Sequence, residues 1–145
     1  MLAGNIITSW PKRAAGRYSR LLHTARRPAV ALETVAHLDE IPLGTRKVVK
    51  AGGHKLLLFH LETGFYATQA YCPHLLAPLK SGKLLGGHIL QCPFHRAQFD
   101  VTSGEVLRWA NFPPGIQALN VLRGERCLAT YPVVIEGDQI RVDIR

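Results

Sequence analysis

Two short segments limit what this chain can become more than anything else in it: Cys72-Pro73-His74 and, after seventeen intervening residues, Cys92-Pro93-Phe94-His95. Each places a thiolate and an imidazole on a single tight loop, so the fold must bring two loops together. In a [2Fe–2S] centre of mixed ligation two Cys hold one iron and two His hold the other, and each loop must then supply one ligand to each iron. The alternating order Cys, His, Cys, His does this. A Cys₂His₂ zinc site normally shows two closely spaced Cys followed by two His three to five residues apart, an order absent here. Cys72, His74, Cys92 and His95 are therefore the candidate metal ligands. The third cysteine, Cys127, precedes an apolar strand in Glu125-Arg126-Cys127-Leu128 and is expected to be a small core hydrophobe. Three cysteines cannot complete a disulfide framework, and in a reducing compartment they stay free for metal.

From Ala31 onward, short β-prone runs alternate with Gly, Asp, Asn or Pro at intervals typical of all-β domains. Strands are predicted near Glu33 to His37, Arg46 to Lys50, Lys55 to His60, Phe65 to Ala70, His88 to Gln91, Gln98 to Val101, Thr130 to Ile135 and Gln139 to Ile144. Ala51-Gly52-Gly53-His54 and Glu136-Gly137-Asp138 supply residues tolerant of positive φ between paired strands. The fold expected is an antiparallel β-sandwich or barrel. Leu107 to Cys127 has neither a period of two nor one of 3.6 and reads as an irregular excursion, from which Pro113 and Pro114 exclude a central strand.

Charge divides the chain. Residues 1 to 29 hold Lys12, Arg13, Arg17, Arg20, Arg26 and Arg27 with no acid, so most of the net charge of +8 sits there. The rest carries twelve basic and ten acidic groups and is nearly neutral, which gives poor support to a nucleic-acid-binding surface. We read residues 1–29 as a basic leader or tail and 30–145 as one domain. In the leader Trp10, Ala14, Tyr18, Leu21 and Leu22 fall near one helical face, as in an acid-poor mitochondrial transit peptide; a basic tail or codons upstream of the true start would look the same. No apolar run approaches the roughly 18 residues of a membrane span. A soluble, intracellular, cytoplasmic protein is expected, or a mitochondrial-matrix one if the leader is a transit peptide.

Cys-x-His, seventeen residues and Cys-x-x-His together make the signature of the Rieske family, and the resemblance extends past the ligands. Tyr66 to Tyr71 leading into Cys72, Ala77-Pro78-Leu79 after His74, Phe99-Asp100 with Ser103-Gly104-Glu105, and the closing Tyr131-Pro132-Val133 and Asp138 to Val142 all resemble the small Rieske ferredoxins of oxygenase systems. The likeness covers roughly residues 31 to 145. It implies one [2Fe–2S] cluster per chain in a small cluster-binding subdomain, with loops at about 70 to 107. Arg96 stands where many members have Gly, Leu75 and Leu76 where small or polar residues are frequent. The cysteines that form a disulfide beside the cluster in cytochrome bc complex proteins are replaced by Leu76 and Phe94, which disfavours a respiratory subunit.

The function implied is that of a one-electron shuttle between a reductase, such as a flavoprotein, and a terminal oxidoreductase, with no substrate turnover by the chain alone. Alternatives are the electron-transfer small subunit of a larger enzyme, as in assimilatory nitrite reductase, and a non-redox metal-stabilised interaction module. High-potential Rieske proteins place a Ser hydroxyl two residues after the second His ligand and a Tyr hydroxyl four after it, where this chain has Ala97 and Phe99. A low potential is therefore expected, near the roughly −150 mV end of the range. Asn111-Phe112-Pro113-Pro114-Gly115 resembles the proline loop that covers the cluster in some members. His37, His54, His60 and His88 lack partners at ligand spacing and are expected as surface or hydrogen-bonded residues. Lys80, Lys83, Arg96 and Arg108 could form a basic rim that steers an acidic partner.

Overall fold

The run His54-Lys-Leu-Leu-Leu-Phe-His-Leu61 is too apolar for a strand with one wet face, and a strand buried on both faces is how such a run is satisfied. The computed structural model, which describes residues 31–145, bears this out. Leu56 and Leu58 point into one core with Ala36, Val49, Ala67, Ile140 and Val142, while Leu57, Phe59 and Leu61 point into a second core with Cys72, Leu79, Cys92 and Phe99. The expected leader at residues 1–29 lies outside the described residues.

Among the described residues eleven strands form three antiparallel sheets. The terminal sheet joins β1 (Leu32–His37), β11 (Gln139–Asp143) and β10 (Val133–Glu136). The central sheet orders β2 (Arg46–Ala51), β3 (His54–Leu61), β4 (Gly64–Gln69) and β9 (Thr130–Tyr131). The third orders β5 (Lys83–Leu85), β6 (Ile89–Gln91), β7 (Gln98–Asp100) and β8 (Val106–Arg108), and it carries the loops of interest. Among the described residues no helix is long and apolar enough to cross a membrane.

The expected strands all form, with three corrections. Thr130 to Ile135 is not one strand: Pro132 has no N–H for the ladder, and the chain changes sheet there, β9 pairing with β4 and β10 with β11. β5 and β8 were not expected, since three residues are too few to display a period. The excursion from Leu107 to Cys127 begins in β8 and holds a short helix, α1 (Gln117–Leu122). The hairpin turns form as read, Gly52, Gly53 and Gly137 all having positive φ. Cys127 is exposed rather than a core residue, because the buried side chain of that segment is Leu128.

Candidate metal centre

The two Cys/His loops share one backbone design. Cys72 N–H donates to the Ala77 carbonyl and Leu76 N–H to that of Cys72, at 2.7 and 2.8 Å; Cys92 N–H donates to Ala97 and Arg96 N–H to Cys92, at 2.7 and 3.1 Å. In both, proline follows the cysteine and presets the first turn residue. In both, the fifth residue, Leu76 or Arg96, closes the turn at φ 55° or 59°. This is the left-handed region that glycine prefers, which accounts for the frequent glycine in the family where this chain has Arg96. Such a turn aims amides at the sulfur. The N–H groups of His74 and Leu75 face Cys72, and those of Phe94 and His95 face Cys92, all favouring the thiolate.

Both cysteines are buried and unpaired by disulfide. The interaction between the two thiols, with burial, pushes the Cys72 thiol far up, and the same interaction brings Cys92 down to about 6. The histidines meet from the other side, His74 Nδ1 lying 3.3 Å from His95 Nδ1. That is the separation of two nitrogens at adjacent corners of a tetrahedral ion with bonds of about 2.0–2.1 Å. Two neutral imidazoles with lone pairs aimed at one point are held in place when an electrophile accepts both. Among the described residues no three His, Cys, Asp or Glu side chains close on a single ion. The candidate donors come as a sulfur pair and a nitrogen pair, an arrangement that would suit a binuclear centre.

The histidines are unequal. His74 is fully buried and His95 half-exposed. Trp109 packs edge-on against the His74 ring at 5.2 Å and itself packs edge-on with Phe99. Burial lowers the His74 pKa, and His95 and Arg123 lower it further, while Asn120 opposes them. The excursion that had no readable period holds both ligand loops: Arg123 Nη1 donates to the His74 carbonyl at 2.9 Å, and Asn111 N–H to that of His95 at 3.0 Å. Trp109, Asn120 and Arg123 are the site residues that sequence reasoning missed. The signal available was the length of an unpatterned segment within a small domain, which more often carries function than not.

The proline segment lies against the second Cys/His loop, through Asn111 and Phe112. Phe112, Pro113 and Pro114 are exposed, with the Arg96 guanidinium over the Phe112 ring at 4.1 Å, and the apolar cover comes from Trp109, Ala110 and Ile116. Lys80, Lys83, Arg96 and Arg108 are all exposed. His60 Nδ1 lies 2.7 Å from the Ile41 carbonyl and its ring stacks on Phe65; His88 Nδ1 lies 3.0 Å from the Gly86 carbonyl; His37 faces Asp138, and His54 is exposed. These are the surface and hydrogen-bonded roles expected of them.

Fold and site together define a small antiparallel β domain that sets two sulfur and two nitrogen donors between paired loops. Residues 32–132 match the Rieske [2Fe-2S] domain, and the chain belongs to that family. The biphenyl dioxygenase ferredoxin subunit of Pseudomonas sp. (strain KKS102) is 32% identical over 106 residues, covering 73% of this chain and 85% of the relative. The ferredoxin component of the naphthalene 1,2-dioxygenase system of Pseudomonas aeruginosa is 35% identical over 107 residues, covering 74% and 89%. Among solved structures, the complex of reduced oxygenase and oxidised ferredoxin in carbazole 1,9a-dioxygenase contains a chain similar to this one, with TM-score 0.61, 25% identity and coverage of 79% of this chain and 94% of that one. These bacterial ferredoxins lend no support to the mitochondrial alternative for residues 1–29.

Proposed function

We propose that this chain is a one-electron carrier that holds one [2Fe–2S] cluster, Cys72 and Cys92 binding one iron and His74 and His95 the other, and that passes electrons from a reductase to a terminal oxygenase. The observation that carries this reading is the pairing of like donors across two loops, with the histidine Nδ1 atoms 3.3 Å apart and both cysteines buried in one core. The cluster supplies reversible one-electron chemistry. The protein's share is to present amides to the thiolates, exclude water with Trp109 and Ile116, and leave the His95 edge open. The similarity to ferredoxin components of dioxygenase systems supports oxygenase and reductase as the partners, and the soluble cytoplasm as the compartment. Leu76 and Phe94, 69% and 52% exposed, stand on the two ligand loops and offer apolar contact to a partner. Arg96 beside them would steer an acidic one.

The test is ligand by ligand. Purified protein should show a Rieske visible and electron paramagnetic resonance spectrum with two irons per chain. Cys72→Ser or Cys92→Ser should abolish it, and Cys127→Ser should leave it intact, since Cys127 is exposed and outside both loops. Zinc in place of iron, or loss of the spectrum in Cys127→Ser, would overturn the assignment.

A further inference from the structure

The excursion holds the main-chain carbonyl of each candidate ligand histidine, and it holds the two differently. Asn111 N–H donates to the His95 carbonyl at 3.0 Å, which is a neutral bond. The His74 carbonyl instead accepts from Arg123 Nη1 at 2.9 Å, across 49 positions of chain. Among the described residues that carbonyl accepts no other hydrogen bond. A guanidinium is always protonated in proteins, and a charge-assisted bond is about twice as strong as a neutral one. The same bond seats the end of α1. Val121 and Leu122 are 86% and 82% exposed, so burial of apolar side chains does not hold this helix in place. Two bonds to carbonyls do: Asn120 Nδ2 to Ala110 at 2.7 Å, and Arg123, directly after the helix, to His74.

We propose that Arg123 is a positioning residue for the metal centre: it clamps the first ligand loop through the His74 carbonyl and keeps a fixed positive charge beside the buried half of the site, which raises the reduction potential. The inference rests on the metal-centre reading above. Among the described residues Arg123 is the one cation hydrogen-bonded to either ligand loop. Arg96 belongs to the second loop, but its guanidinium lies over the Phe112 ring. The Arg123 side chain is exposed and its charge therefore partly screened, yet the bond itself is partly buried and the residue it holds is fully so. Its carbonyl belongs to the peptide unit that carries the Leu75 N–H, one of the amides facing Cys72. A cation on the oxygen polarises that unit and strengthens its N–H as a donor. Reduction adds one negative charge to such a centre, and both effects favour the state that carries it.

The experiment uses cluster-loaded protein with Arg123→Gln, Arg123→Lys and, as a control, Arg126→Gln, which removes an equal charge from another exposed position of the same segment. Each is read by protein-film voltammetry at low and high salt and by thermal unfolding. Arg123→Gln should lower the midpoint potential, Arg123→Lys should fall between it and wild type, and Arg126→Gln should stay near wild type. The gap between wild type and Arg123→Gln should shrink with salt, because the screening length falls from about 10 Å at 0.1 M to about 3 Å at 1 M. If Arg123 merely ties α1 down, both of its variants will unfold at lower temperature with the wild-type potential, and the proposal fails. It fails equally if Arg126→Gln lowers the potential as far as Arg123→Gln, since general surface charge is then the cause. A gap that salt leaves unchanged would assign the effect to loop geometry and overturn the role of the charge. A wild-type protein that binds no iron–sulfur cluster would instead overturn the reading on which the proposal rests.

Discussion

Restoring hydroxyls at positions 97 and 99 should raise the reduction potential in steps, and the structure separates that outcome from mere damage. Ala97 and Phe99 are fully buried and pack in the same core as Cys72 and Cys92, so Ala97→Ser and Phe99→Tyr each introduce one hydroxyl into a dry region beside the ligand loops. Phe99→Tyr adds a single oxygen to a ring already held edge-on by Trp109. With two ferric ions, two sulfides and two thiolates the oxidised centre is about neutral, and reduction adds one negative charge. A donor aimed at it stabilises the reduced form by about 1.5–3 kcal/mol, which for one electron is about 60–130 mV per hydroxyl. The double variant should then rise by about 130–260 mV if the effects add. A buried hydroxyl that finds no acceptor behaves differently, costing about 1–3 kcal/mol of stability with no gain in potential. Protein-film voltammetry at pH 7 and thermal unfolding of the same samples distinguish the two. Unchanged potentials in both single variants, accompanied by lower melting temperatures, would refute the reasoning, as would a wild-type midpoint well above zero.

Gly104→Ala should be strongly destabilising. Gly104 has φ +80°, and an added Cβ would lie 2.2 Å from the Leu128 carbonyl oxygen, so left-handed strain of about 1–2 kcal/mol is joined by displacement of the Leu128 N–H bond to Gly104; a denaturant midpoint equal to wild type would contradict this. Asp100 should contribute to acid sensitivity. Burial raises its pKa, but hydrogen bonds from the Thr102 side chain and from the Thr102 and Ser103 amides outweigh that and hold it below 3.8. Its stabilisation is therefore present above that unfolded value and lost as pH falls through the folded one. Asp100→Asn should lower stability at pH 7 and flatten the acid limb, and a limb of unchanged slope in urea titrations from pH 2 to 7 would count against it.

The parts of this molecule legible in its sequence are those whose cause is local. Positive φ at Gly52 and Gly53 is a property of the residues themselves, and so is the pull of Leu56 to Phe59 toward a strand with no wet face. Cys and His at close spacing mark the two loops as the candidate site because few other demands produce such a pair. The excursion from Leu107 to Cys127 was illegible because its order comes from elsewhere. Trp109 is buried by His74 and Phe99, Asn120 and Arg123 make bonds to carbonyls 10 and 49 residues back in the chain, and nothing in a window of neighbours encodes such partners. Cys127 misled for a related reason. Beside an apolar strand a lone cysteine is usually inside, yet here it is Leu128 that the second core takes, and the alternation of a short extended segment leaves its neighbour in solvent.

One spacing in the sequence carries more than its ligand count. The two loops are built alike, from the amide of the cysteine to the left-handed residue four positions on, but histidine stands two places after Cys72 and three places after Cys92. On the same backbone, one step along the turn points the side chain in a different direction. His74 is thereby turned under Trp109 and sealed, while His95 sits at the half-exposed edge with Phe94 and Arg96 around it. If the four donors hold the cluster proposed above, the open imidazole is its shorter way out for an electron. The difference between Cys-x-His and Cys-x-x-His thus accompanies two features at once: the two nitrogens lie 3.3 Å apart, and one ring is buried while the other is half-exposed.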